Sequence, residues 1–267
     1  MQDISWHEDF FTRFFEEQLA QEHEDKTPMY LKHEHSLRVL AHARFLTETD
    51  SFAALAAKLP CGPAQAVRST LLAALYHDIA RFPQYLRWRT FRDKDSINHG
   101  IFGVKTLKQS GVLLRESPSL RRVVLAALAL HNRYLLPPGL PQDVLLAANV
   151  VRDADKLDIF RIFAEQLAGG GPPSSTVLLS VKNDPALYTQ KVLDDALARR
   201  VASYADLRSV NDFRILLGTW IYGLNFTESR KLLEQNGSLR SLLEDLPPLP
   251  ALRAAQQQLL ADLASPL

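Results

Sequence analysis

Cysteine is almost missing from this chain: Cys61 is the only one among 267 residues. A single thiol excludes an internal disulfide framework and removes thiolate-rich zinc sites from consideration. A reducing, cytoplasmic compartment is the simplest expectation. An excess of one charge is missing too. Lys and Arg total 31 against 30 Asp and Glu, a net +1 that argues neither for nor against nucleic acid, and no stable nucleic-acid partner is expected. No apolar run approaches the roughly 20 residues a membrane-spanning helix needs. The acidic start Met1-Gln2-Asp3-Ile4-Ser5-Trp6-His7-Glu8-Asp9 reads as neither signal peptide nor anchor, so no membrane partner is expected. Internal repeats, low-complexity tracts and Gly-rich phosphate cradles are absent as well. Strand signals are too sparse for a sheet-based fold, which leaves the all-α class.

What is present is helical periodicity and enough apolar residue, 46%, to bury a sizeable core in one large helical domain or a domain with an appendage. Phe10, Phe11, Phe14, Phe15 and Leu19 recur at steps of three and four, which predicts an amphipathic first helix. A second helix is expected from about Leu31 to Thr49. Ala64 to Phe82 is apolar all round and reads as a central helix, stopped by Pro83. Residues 83–96 read as an ordered loop, and helices follow over 97–110, 118–133 and 142–167. The clearest seam is Gly169-Gly170-Gly171-Pro172-Pro173-Ser174-Ser175. It divides a helical domain at 1–168, with its core at about 26–168, from a C-terminal helical extension at 176–267. A short strand is expected at Thr176–Val181. Trp220, Tyr222, Leu224 and Phe226 cluster in the extension, and Trp220 with Phe226 suggests a face for a homodimer.

Six residues stand out as metal ligands: His35, His77, Asp78, His99, His131 and Asp155. They fall on at least four predicted helices, and helical bundles build metal sites from side chains that project into a shared interior. Imidazole with carboxylate suits divalent iron, manganese, nickel, cobalt or zinc better than magnesium or calcium. His35, His77, Asp78 and Asp155 satisfy one ion; His99 and His131 allow a second, with Asp78 placed to bridge. Each has a plainer role to weigh: His77 as a buried histidine bonded to backbone, His131 as a helix C-cap, Asp155 as a surface acid. An unpaired Asp78 in an apolar helix would be costly to bury. The conjunction carries the reading. Asp153 competes with Asp155, since residues two apart on a helix point about 200° from each other. His7, His23 and His33 lie in charged stretches and are expected at the surface; His42 shares a face with His35 and could touch a ligand from behind.

The surrounding motifs are His-Ser-Leu-Arg-Val at 35–39, Leu-Tyr-His-Asp-Ile-Ala-Arg-Phe at 75–82, Thr-Phe-Arg-Asp-Lys-Asp-Ser-Ile-Asn-His at 90–99, and Arg-Asp-Ala-Asp-Lys-Leu-Asp at 152–158. Together they resemble the HD-domain metal-dependent phosphohydrolase superfamily over roughly residues 26–168. The resemblance implies an HD-domain helical bundle, a centre of one or two metal ions, and hydrolysis of a phosphate ester. It favours Asp155 over Asp153 as ligand. Ile79, Ala80 and Arg81 stand where stringent-response nucleotide hydrolases carry an acidic pair. Asn132 stands where cyclic-dinucleotide phosphodiesterases double the histidine, which argues against a third metal. The chain is most similar to uncharacterised bacterial HD-domain proteins.

Arg81, Arg87, Arg89, Arg92 and Lys94 against Asp93 give residues 81–94 a local positive excess, suited to a phosphorylated small molecule or nucleotide. Arg81 is the first candidate phosphate ligand and Lys156 the second; Arg38, Asp95, Ser96 and Arg133 complete the expected substrate contacts. Tyr85, Trp88 and Phe91 either stack on a base or anchor the loop. The expected chemistry is in-line attack by a metal-activated hydroxide, with Asp78 and Arg81 catalytic. Alternatives are a di-iron oxygenase assisted by Tyr30 and Glu34, a catalytically silent nucleotide sensor, and a structural metal staple.

Overall fold

A computed structural model of the protein describes residues 3–168 and 181–265. Its helices are α1 (Ser5–Leu19), α2 (Thr27–Thr47), α3 (Asp50–Ala56), α4 (Gly62–Tyr76), α5 (Arg81–Trp88), α6 (His99–Ser110), α7 (Pro118–Leu130), α8 (Gln142–Ala168), α9 (Gln190–Leu197), α10 (Val210–Thr219), α11 (Thr227–Asn236), α12 (Ser238–Glu244) and α13 (Pro250–Ala264). Four short 3-10 turns join them. The protein is all-α: among the described residues the only β pairing is an isolated bridge between Lys182 and Ser209. No described helix is long and apolar enough to cross a membrane.

The chain divides into two compact units, Met1–Asp155 and Lys156–Leu267. The division falls inside α8. The Gly- and Pro-rich seam at 169–175 lies outside the described residues, as does the strand expected at 176–181 apart from Val181.

In the first unit α4 is central, packing against α1, α2, α3 and α7. Every residue from Ser69 to Ala80 is buried, which is why this segment shows no polar face. The expected single helix over 64–82 is broken, however. α4 stops at Tyr76, and a tight turn with Ile79 N–H on the Tyr76 carbonyl (3.1 Å) and Arg81 N–H on the Asp78 carbonyl (2.8 Å) leads into α5. Pro83, read as a stop, sits instead in the first turn of α5, where its missing N–H leaves no intrahelical bond unmade. The expected loop at 83–96 therefore begins as helix. α5 ends on Arg89 in the left-handed conformation (φ 55°), its amide closing on the Tyr85 carbonyl at 2.8 Å.

Local sequence sets the other boundaries. Thr49, Asn98 and Ser117 each accept a backbone N–H three residues on, at 3.3, 3.0 and 3.2 Å, and so cap α3, α6 and α7. Gly111 (φ 68°) ends α6 in a conformation that costs glycine little.

The second unit packs α9, α10, α12 and α13 together over a core that includes Phe160, Phe163, Phe213, Trp220, Leu243 and Leu259. A capping box between Ser209 and Asp212 opens α10, and Asp212 also accepts from Thr189 N–H and Oγ1. Trp220 and Phe226 are both buried, so neither presents the dimer face expected of them.

Candidate metal centre

The six candidate ligands all fall in the first unit. They come from α2 (His35), the turn after α4 (His77, Asp78), the start of α6 (His99), the residue closing α7 (His131) and α8 (Asp155). Their side-chain atoms form two groups able to hold an ion: His35, His77 and Asp155 in one; Asp78, His99 and His131 in the other. In the first, His35 Nε2 stands 3.3 Å from His77 Nε2 and 3.1 Å from Asp155 Oδ1. In the second, His99 Nε2 is 2.9 Å from His131 Nε2 and 3.4 Å from Asp78 Oδ1.

Asp78 joins the two. Its Oδ1 faces His99, while its Oδ2 lies 3.7 Å from both His35 and His77. Lys32 Nζ holds Oδ2 at 2.8 Å, and Arg81 Nε holds Oδ1 at 3.3 Å. Burial alone would raise the Asp78 pKa; Lys32 and Arg81 outweigh it and hold the carboxyl well below the usual carboxylate range.

The ring tautomers test whether a cation fits. His77 Nδ1 lies 2.8 Å from the Ala74 carbonyl, and His131 Nδ1 lies 2.8 Å from the Leu128 carbonyl. His99 Nδ1 lies 2.7 Å from Asp93 Oδ2. Each of these partners only accepts, so the proton sits on Nδ1 and the Nε2 lone pair points inward. Two lone pairs facing across about 3 Å repel unless a cation lies between them, and ligands of one ion bound at about 2.1 Å have about this separation. Burial lowers the pKa of all three rings, of His99 and His131 to about 4, which keeps them in the neutral form that metals bind. The donor set fits divalent transition-metal ions.

His77 and His131 also show how local folding builds the site. Each follows the last residue of its helix and donates to a carbonyl of the final turn, one of the acceptors a helix end leaves unmade. Capping with one nitrogen fixes the direction of the other. Arg152 of α8 reinforces this end of α7: its guanidinium donates to the carbonyls of His131 (3.0 Å), Arg133 and Tyr134 (3.2 Å).

Asp93 is a hub that the motif reading left without a role. It accepts from His99 N–H and Nδ1, Arg81 Nη1 (3.0 Å), Gln84 Nε2 (3.3 Å) and Asn132 Nδ2 (3.1 Å). A carboxylate behind a ligating imidazole fixes the ring and raises its basicity. These contacts bring the Asp93 pKa down to about 2, with His99 and Arg81 overcoming desolvation. Asp153 is fully buried and Asp155 part-buried, and Asp155 alone of the two belongs to a ligand group. His42, part-buried on α2, belongs to neither.

The expected substrate contacts are dispersed. Arg81 is fixed by Asp78, Gln84, the Phe91 carbonyl and Asp93, and none of these bonds uses Nη2. Arg38 pairs with Glu34, Asp95 with Arg92, and Ser96 with Gln84 and the Arg92 carbonyl. Arg133 is exposed, and Lys156 donates to the Gly223 carbonyl at 2.8 Å. Arg89 pairs with Glu22 and Glu24, so much of the loop's positive charge is answered by nearby acids. Tyr85 and Phe91 pack on each other and Trp88 on Phe102, which anchors the loop. Tyr30 packs edge-on to Phe15. His7, expected at the surface, is buried between Tyr76 (2.9 Å) and Glu116 (2.9 Å), and His33 stacks on Phe15; His23 is exposed.

Residues 33–159 match the family model of the HD domain, from just before His35 to just beyond Asp155. That stretch of the chain is an HD domain, the signature of a superfamily composed mostly of metal-dependent hydrolases. No curated protein and no solved structure matches the chain.

Proposed function

We propose that the protein is a metal-dependent phosphohydrolase acting on a phosphorylated small molecule or nucleotide at a dinuclear centre. The observation that carries this reading is Asp78, with one carboxylate oxygen toward each ligand group. His35, His77 and Asp155 hold one ion and Asp78, His99 and His131 the other, with Asp78 shared. Divalent ions bound there supply Lewis acidity and acidify water at neutral pH. Neutral imidazoles leave only two carboxylates to offset two divalent ions, so the occupied centre keeps a positive surplus suited to a phosphate. Arg81, held rigid by three partners besides Asp78, adds to that surplus and offers Nη2 to a phosphate oxygen. Asp155, 20% exposed at its side chain, marks the side from which substrate enters.

The test is a panel of phosphorylated metabolites with metal content measured alongside. Phosphate release that needs a transition metal and stops with chelator is the expected result. Tight ligand binding without product would identify a sensor instead. Dioxygen consumption would identify an oxygenase.

A further inference from the structure

Lys32, one helical turn before His35 on α2, was not among the residues singled out by pattern. Its ammonium is 2.8 Å from Asp78 Oδ2 and 5.6 Å from the centre of the Phe91 ring. Among the described residues it donates to nothing else. Arg81, whose guanidinium lies 5.7 Å from the same ring, keeps Gln84, the Phe91 carbonyl and Asp93 whatever happens at Asp78. The two cations on the bridging carboxylate therefore differ: one is fixed, and one depends entirely on a metal ligand.

The oxygen that Lys32 holds is the one facing His35 and His77. An ion in that group and the ammonium call on the same oxygen, and the two positive charges repel. We propose that Lys32 is an oxyanion ligand for the substrate phosphate, neutralising Asp78 before metal binds and turning to a phosphate oxygen once ions take that carboxylate. The inference rests on the phosphohydrolase reading and assigns one more contact to the same site. A flexible four-carbon stem with three rotatable donors can make such a turn, where a planar guanidinium in a fixed lattice cannot. Phe91 keeps the ammonium at the rim by cation–π attraction. Lys32 is 18% exposed at its side chain, open to an incoming anion.

The test uses the full chain with Mn2+ and inorganic phosphate as probes, each titrated calorimetrically. Lys32→Gln is expected to bind Mn2+ at least as tightly as the unsubstituted protein, because no ammonium has to be displaced. Its Mn2+-dependent affinity for phosphate should fall about tenfold to a hundredfold, the range for losing a charge-assisted hydrogen bond. Lys32→Arg should recover part of it. Lys32→Met repeats the measurement should the glutamine variant fold poorly. Unchanged phosphate affinity overturns the Lys32 role and leaves the phosphohydrolase reading standing. So does a loss of Mn2+ binding, or of folding in both uncharged variants, since Lys32 would then be a structural counter-ion. If the unsubstituted protein binds Mn2+ but no phosphate, both readings fall.

Discussion

Asp78 is buried with one carboxylate oxygen toward each ligand group, and it is flanked by two cations. Asp78→Ala should remove metal loading and turnover together, since either group alone then lacks its carboxylate bridge; metal content per chain and phosphate release check it, and retained activity would reject the scheme. Asp93→Asn is subtler. The amide keeps the shape but gives His99 a neutral acceptor, so metal affinity should fall about tenfold to a hundredfold. The loss should be greatest in the group containing His99 and His131. Competition titrations with a chromophoric chelator would show one site weakened far more than the other. The candidate ligands were legible because all but His131 lie in the short motifs that carry the HD-domain resemblance. Lys32 and Asp93 were not, because their importance lies in bonds to Asp78 and His99 rather than in any local pattern.

Helix packing places the second ligand group, and a glycine sets how closely two helices approach. A Cβ at Gly100 would lie 2.6 Å from the Leu128 carbonyl of α7, the same carbonyl that orients His131. Gly100→Ala should therefore cost about 1–3 kcal/mol by overpacking and separate His99 from His131. Gly103→Ala, one turn on, meets Leu128 Cδ2 at an ordinary 3.4 Å and should be near neutral. Denaturant midpoints of the two variants compare them directly; equal effects would mean that α6 and α7 are free to move apart. Several helices of the first unit could be placed from periodicity, α6 from the helix expected over 97–110 for example. The break after Tyr76 could not, because a segment buried on every side has no polar stripe to interrupt. α5 was hidden by Pro83, whose helix-breaking sense reverses in a first turn. His7 looked like a surface residue because its partners, Tyr76 and Glu116, are remote in sequence.

At the scale of the whole molecule, buried neutral histidines make stability depend on pH. His99 and His131 have folded pKa values of about 4 against 6.5 unperturbed. As pH falls the unfolded chain takes up these protons first, so their contribution is complete above about 6.5 and is lost progressively down to about 4. The metal-free protein should therefore unfold at lower temperature at pH 5 than at pH 7.5, by up to about 1.4 kcal/mol per pH unit for each histidine. The depressed Asp93 extends the loss toward pH 2. Calorimetry in chelator across that range checks it, and a flat profile would mean that the rings are not buried neutral. Because Asp78 turns one oxygen to each group, an ion bound in either would immobilise a carboxylate that the other also uses, so filling should be cooperative and the binding isotherm steeper than that of independent sites. By reciprocity, weakening the grip at Asp155 should be felt at His131, although the two side chains belong to different groups.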